Sequence, residues 1–336
     1  VNTLLEDKIL MSSFELPQKE KIPPLLKKKK IIVIAGPTGV GKTEISLKIA
    51  KVSGGEIISA DSMQVYRGMD IGTAKVSQEE RLHVPHHLID IRDLSQSFNV
   101  MDFYNEAMEA LKAIFIRGHV PIVVGGTGFY IHALIYGPPS GPASVPEVRG
   151  RLEQEMDEKG TLALFDRLRN LDPEYAETIT ARDRQKIIRG LEIITLTNQK
   201  VSQFPKVTTG MHENFDFRCW FLHLPKELLY QRLDLRCDEM VARGFIEEVK
   251  KIEKELKQNS SASQAIGYRQ CLDYLSTPQM KEDKDHFVDA FKRASRRYAK
   301  RQFTWFRKEP LFRWLNMDTT TVDHALELIL QDYERG

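Results

Sequence analysis

The chain has 336 residues, 41% hydrophobic and 29% charged, and its 49 Lys and Arg against 47 Asp and Glu leave a formal net charge of +2. That length leaves room for a large core and about two domains, and the near-neutral balance excludes a globally basic nucleic-acid binder, so any such signal must be local. Three cysteines without paired spacing exclude a disulfide framework and fit a reducing cytoplasm, and no apolar run nears the roughly 20 residues of a membrane span.

Residues 1–30 mix Leu, Pro, Lys and Glu and end in a lysine run at 27–30. They lack the apolar centre of a signal peptide and read as a flexible arm with solvated lysines. The apolar run at 31–35 (IIVIA) predicts a buried strand. It leads into Gly36, Pro37, Thr38, Gly39, Val40, Gly41, Lys42 and Thr43, and a helix opens at Lys42. A glycine-rich turn between strand and helix is a phosphate-binding loop, because its backbone N–H groups converge on phosphate oxygens. Lys42 reaches the outer phosphates, and the Thr43 hydroxyl is a candidate Mg²⁺ ligand. The motif is shared with ATP-binding and other nucleotide-binding proteins. It fixes a di- or triphosphate ligand, not a reaction.

A second strand at 56–60 ends in Asp61 and Ser62. A carboxylate one strand from the phosphate loop serves as a Mg²⁺ ligand or a general base. The bland alternative is a helix N-cap; the position beside the loop favours chemistry. His83, His86 and His87 invite a metal, but no cysteine or acid stands near with zinc spacing, so they read as loop histidines. Apolar residues at 103, 107, 111, 114 and 115 predict a helix over 102–117. A strand at 120–124 ends in Gly125, Gly126, Thr127 and Gly128. Thr127 thus sits where backbone approaches a ligand closely, or in a tight structural turn. This alternation predicts a P-loop NTPase-like α/β core, a parallel sheet with helices on both faces. Its site lies along the strands' carboxyl ends, so the phosphate loop, Asp61 and Thr127 share one rim.

The segment GPPSGPASVP at 137–146 breaks the pattern, and a charged helical stretch runs over 148–198. This marks a helical insertion at 139–205 within a core made of 31–138 and 206–336. A strand at 217–224 returns to the sheet. Helices follow near 226–257 and 268–275, and a last long one at about 284–306. Arg232 and Arg236 are four apart and share a helix face. Paired guanidiniums suit a pyrophosphate, although spacing alone favours plain surface charge. On the last helix Lys292, Arg293, Arg296, Arg297, Lys300 and Arg301 stripe one side, and Phe287, Phe291, Ala294 and Tyr298 another. Phe303, Trp305, Phe306, Arg307 and Lys308 follow. A basic face beside exposed aromatics is a nucleic-acid footprint, and equally an ordinary amphipathic helix.

Taken together, these motifs resemble the bacterial tRNA dimethylallyltransferases (tRNA isopentenyltransferases). The resemblance rests on GPTGVGKT (36–43), ISADSMQVYRGMDIGTAK (58–75), VPHHLID (84–90), VVGGTGFY (123–130), PEVRGRLE (146–153), DRQKIIRGLEI (183–193), QRLDLRCDEM (231–240), AIGYRQ (265–270) and RRYAKRQFTWFR (296–307). They keep the family's order and span nearly the whole chain. The C-terminal zinc finger of eukaryotic relatives is absent from this sequence. Ser144 and Val145 stand where an acid is expected, Lys186 replaces an arginine, and Ala265 a common cysteine.

The resemblance implies that dimethylallyl diphosphate and a tRNA anticodon stem-loop bind together. N6 of the adenosine 3′ of the anticodon, position 37, attacks the allylic C1; diphosphate leaves, and no ATP is consumed. Residues 36–43 and Arg232 would hold the diphosphate, with Lys42, Arg236 and Mg²⁺ at Thr43 stabilising its charge. Asp61 would take the N6 proton, and Thr127 would keep the reactants in register. The target base must be drawn out of its stack. By the same resemblance, tRNA contacts fall to Asp61, Ser62, Met63, Gln64, Thr127, Arg149, Gln185, Lys186, Arg189, Gly267, Tyr268, Arg269, Lys300, Arg301 and Arg307. The insertion would clamp the stem, and the enzyme would be a cytoplasmic monomer. An adenylate isopentenyltransferase, a small-molecule P-loop kinase and a non-catalytic RNA binder remain as rivals. The long insertion and the basic C-terminal helix favour a large RNA substrate over free nucleotides.

Overall fold

A computed structural model describes residues 28–205 and 214–335. The arm at 1–27 and the core boundary at 206 lie outside the described residues. Lys29 and Lys30, expected in that arm, instead begin the first strand, β1 (Lys29–Ala35). The Lys30 ammonium donates to the Tyr333 carbonyl at 2.7 Å.

β1 leads to α1 (Lys42–Ser53), and β2 (Gly55–Ala60) leads through α2 (Gln78–His83) and β3 (His86–His87) to α3 (Val100–Ile116). Next come β4 (Val120–Gly125) and α4 (Gly128–Tyr136). Four helices follow, α5 (Pro146–Lys159), α6 (Thr161–Leu171), α7 (Pro173–Glu177) and α8 (Arg184–Thr197). β5 (Phe215–His223) returns to the sheet. α9 (Lys226–Ala242), α10 (Phe245–Gln258), α11 (Tyr268–Leu275), α12 (Lys281–Phe306), β6 (Arg313–Asn316) and α13 (Val322–Glu334) complete the order.

The six strands run parallel in the order β3-β2-β4-β1-β5-β6. Strands covered by helices on both faces carry continuous apolar runs, and residues 31–35 are fully buried. Register decides where the motifs emerge. Gly125 of β4 pairs with Ala60 of β2 on one side and Ala35 of β1 on the other. The next residues are Gly126, Asp61 and Gly36, so the three motifs leave the sheet side by side.

Some elements depart from expectation. The helix expected over 226–257 is two, because Gly244 takes a left-handed φ of 97° that ends α9's path and starts α10. The stretch at 148–198 is broken at Gly160, again left-handed, and at Pro173, which lacks an N–H to continue a helix. Helices α5 to α8 enclose an apolar cluster of their own, including Leu152, Leu168, Ile187 and Leu191, apart from the two clusters flanking the sheet. His86 and His87 form β3, and the His87 ring meets the buried Glu56 carboxylate at 2.6 Å. No group of three side chains suited to a metal occurs among the described residues. No described helix is long and apolar enough to cross a membrane.

Candidate active site

A cavity of about 720 Å³ opens at the carboxyl rim of the sheet. The phosphate loop, Asp61, Ser62, Met63 and Gln64 line it from the sheet, Arg232 and Arg236 from α9, and Tyr298 and Arg301 from α12. Both arginines therefore line the cavity that holds the phosphate loop; Arg236 is half-buried, while Arg232 is exposed. The Lys42 ammonium donates to the Gly36 and Pro37 carbonyls, each at 2.9 Å.

The charge of this cavity is unbalanced. Burial pulls the Lys42 ammonium down, the nearby Arg236 guanidinium pulls it further, and Asp61 only partly opposes them; the result is about 7. Burial likewise lowers Arg236. Among the described residues neither of these cations, nor Arg232, has an ion-pair partner. Asp61, Glu44 and Glu239 also line the cavity, but none is ion-paired with these desolvated cations, and a polyanion would relieve them.

Asp61 is fixed by its own turn. Its Oδ1 accepts from the N–H groups of Met63 and Gln64 at 2.8 and 3.2 Å. Neither bond uses Oδ2. The Thr127 hydroxyl oxygen accepts from the Ser62 N–H at 3.2 Å, and the Thr127 N–H donates to the Ala60 carbonyl at 3.3 Å. The glycine turn thus clamps the start of the Asp61 segment. Gln64 is held from both sides: the Ser59 hydroxyl donates to its Oε1 at 2.9 Å, and its Nε2 donates to the Thr73 carbonyl at 3.1 Å.

Of the residues expected on tRNA, Arg149, Gln185 and Arg189 come together where α5 meets α8. Arg149 donates to Glu153 at 3.0 Å and to Gln185, while Arg189 donates to the buried Glu192 at 2.7 Å. Lys186, Arg269, Lys300, Arg301 and Arg307 are exposed. Tyr268 is not. It is fully buried, and its hydroxyl donates to Glu248 at 2.6 Å. Gly267 is buried too, with a Cβ there falling 2.8 Å from Phe291. Neither offers a side chain to RNA. The aromatic half of the last helix is likewise mostly core: Phe287, Phe291 and Phe306 are buried, Phe303 is half-buried, and only Trp305 is exposed. Part of the basic stripe also faces inward, with Lys292 bonded to Asp238 and Arg296 to Asp234 on α9.

Three residues of the site were not singled out from the sequence. Burial, with Asp61's charge adding to it, pushes the Tyr298 phenol up to about 12. Gln302 is buried on α12; a polar residue on the stripe of Phe291, Ala294 and Phe306 was the available signal. Glu248 accepts from the N–H groups of Asp70, Ile71 and Gly72 at 2.9, 2.6 and 3.1 Å, besides Tyr268. No sequence pattern marked it. Glu248→Ala strands these donors and should cost about 2–4 kcal/mol. A urea midpoint lowered at constant m-value checks this.

A parallel sheet, a phosphate loop after β1 and a cationic cavity at the same rim define a P-loop α/β protein with a polyanion pocket. A family model described as IPP transferase matches residues 64–309. The tRNA dimethylallyltransferase of Protochlamydia amoebophila is 57% identical over 98% of this chain and 96% of its own length. That of Chlamydia pneumoniae is 45% identical over 94% and 92%. The crystal structure of a full-length tRNA isopentenylpyrophosphate transferase from Bacillus halodurans is 40% identical, covers 92% of this chain and 97% of its own, and superposes with a TM-score of 0.66. A eukaryotic dimethylallyltransferase described as acting on tRNA is 30% identical over 89% and 78%, with a TM-score of 0.72. The chain belongs to the IPP transferase family.

Proposed function

We propose that this cavity carries out dimethylallyl transfer to tRNA, the activity named in the chain's relatives. The donor is dimethylallyl diphosphate, and the acceptor is N6 of the adenosine at position 37, 3′ of the anticodon. The observation that carries this reading is the half-buried pair of Lys42 and Arg236, neither ion-paired among the described residues, facing one cavity beside the phosphate loop and Asp61. The new bond is N6–C1. The C1–O bond breaks with its electron pair going to the diphosphate, which Lys42, Arg232, Arg236 and the loop's N–H groups stabilise. The N6 proton passes to Asp61, whose Oδ2 is the oxygen outside the turn. Thr127 keeps the Asp61 segment in place through the Ser62 N–H.

The donor set suits Mg²⁺, which takes few protein ligands and keeps phosphate oxygens and water around it. Thr43 would hold it, and when bound it would neutralise charge on the departing diphosphate. For the RNA, the cluster of Arg149, Gln185 and Arg189 and the exposed Lys300, Arg301 and Arg307 are the contacts we assign, with the inserted helices clamping the stem. Target adenine enters past Ser62, Met63 and Gln64 after leaving its stack.

One assay separates this function from its rivals. Labelled dimethylallyl diphosphate is offered with tRNA, AMP or ATP. Label in tRNA supports transfer to RNA; label in AMP alone points to a free-nucleotide prenyltransferase. Arg301 supplies a second check. It lines the cavity and its guanidinium lies 5.4 Å from the Tyr298 ring. Arg301→Ala should weaken tRNA affinity and reduce the salt slope of log K by about one. Filter binding over a salt series measures this, and an unchanged slope removes Arg301 from the RNA interface.

A further inference from the structure

Within 300–307, one buried residue is polar. Gln302 is buried, and both ends of its carboxamide are engaged. Its Oε1 accepts from the Thr38 N–H at 3.1 Å, and its Nε2 donates to the Gly126 carbonyl at 3.0 Å. Gly126 makes room for it, since a Cβ there would lie 2.1 Å from Nε2. The two anchor points belong to different halves of the site. Thr38 stands in the diphosphate cradle, and Gly126 directly precedes Thr127, which clamps the Asp61 segment. The carboxamide itself rides on α12, the helix that presents Lys300 and Arg301 to solvent and cavity.

We propose that Gln302 is a positioning residue that couples RNA docking on α12 to the geometry of the phosphate loop. This rests on the function proposed above. RNA seated on the exposed basic residues fixes α12. Through Gln302, it also fixes the spacing between the cradle and the Gly126 turn. Diphosphate then meets a loop already in place and binds more tightly. Because coupling of binding energies is reciprocal, diphosphate tightens RNA by the same factor. A buried bridge with two satisfied hydrogen bonds transmits such a constraint because neither end can be released without stranding a polar group.

The test titrates inorganic diphosphate, with Mg²⁺, into the full chain by calorimetry, alone and saturated with an unmodified anticodon stem-loop. In the wild type the RNA should tighten diphosphate at least about fivefold. Gln302→Met keeps the length of the side chain and removes both hydrogen bonds. It should bring that ratio to within about twofold of one, and lower kcat more than it raises KM for tRNA. Gly126→Ala pushes the flexible carboxamide aside without touching the helix, should lose the ratio as well, and carries the test if Gln302→Met does not fold. Thr304→Ala, exposed on the same helix, should keep the full ratio. A wild-type ratio of one, or a ratio retained in both Gln302→Met and Gly126→Ala, overturns the coupling. If the wild type fails to prenylate tRNA, the function falls and takes the coupling with it. A prenylating wild type with independent binding sinks the coupling alone.

Discussion

Asp61→Ala should lower turnover by about 10²–10⁴, the span expected when a positioned general base is removed, while tRNA binding changes little. Alanine by itself is ambiguous here, because Asp61 also shapes its own turn through Oδ1. Asp61→Asn resolves this. An asparagine side-chain oxygen still accepts from Met63 and Gln64, but the group no longer takes a proton. If Asp61 acts as the base, both variants should be slow to a similar degree. Single-turnover prenylation with saturating tRNA measures the step. An asparagine variant with near-wild-type turnover would reduce Asp61 to a turn residue.

Lys42→Met should cut kcat about 10²–10³-fold, as loss of one preorganised charge on a leaving group does, and weaken diphosphate binding besides. A second signature concerns protons. Burial and Arg236 bring Lys42 to about 7, against an ordinary value of 10.5. A bound diphosphate supplies the missing negative charge and drives that value back up. Lys42 is therefore largely neutral in the free protein at pH 8 and charged in the complex, so binding takes up a proton, up to about one. Below pH 7 Lys42 is charged in both states and the uptake fades. Calorimetry of diphosphate binding at pH 8, in buffers of different ionisation enthalpy, reads this directly. The wild-type uptake should exceed that of Lys42→Met, in which only the ligand's own protons move. Equal uptake in the two proteins would mean that Lys42 is already paired before the ligand arrives.

Much of this site was legible before any coordinates. The apolar run at 31–35 and the glycine spacing after it fix a strand, a loop and a helix in one reading, because the backbone there has few alternatives. Asp61 and Thr127 follow from the rule that parallel strands present their carboxyl ends together, and the register of Ala60, Gly125 and Ala35 meets that expectation. The charge stripe on α12 was harder. Periodicity tells which residues share a face but not what covers it, so it could not separate Arg296, paired with Asp234, from exposed Arg301. Tyr268 was misassigned for the same reason. A motif stretch conserves core and contact residues alike, and only burial tells them apart. Glu248 and Gln302 each bond to backbone groups more than 170 positions away; no local pattern encodes such a bond. The break at Gly244 was readable as a glycine inside a helical pattern, which is tolerated often enough to be passed over.

The tie between Lys30 and the Tyr333 carbonyl bears on how the chain is made. β1 lies between β4 and β5, and α13 packs against both β1 and β5. An emerging polypeptide therefore meets β4 first, β5 about a hundred residues later and α13 last, so β1 is completed only after many seconds at ribosomal speeds. Pairings this distant in sequence form slowly. Until they form, the β5-side edge of β1 stays unpaired and liable to join with the strands of neighbouring chains. Shielding by a chaperone during translation, rather than intrinsic folding speed, would then govern how much of this protein a cell obtains.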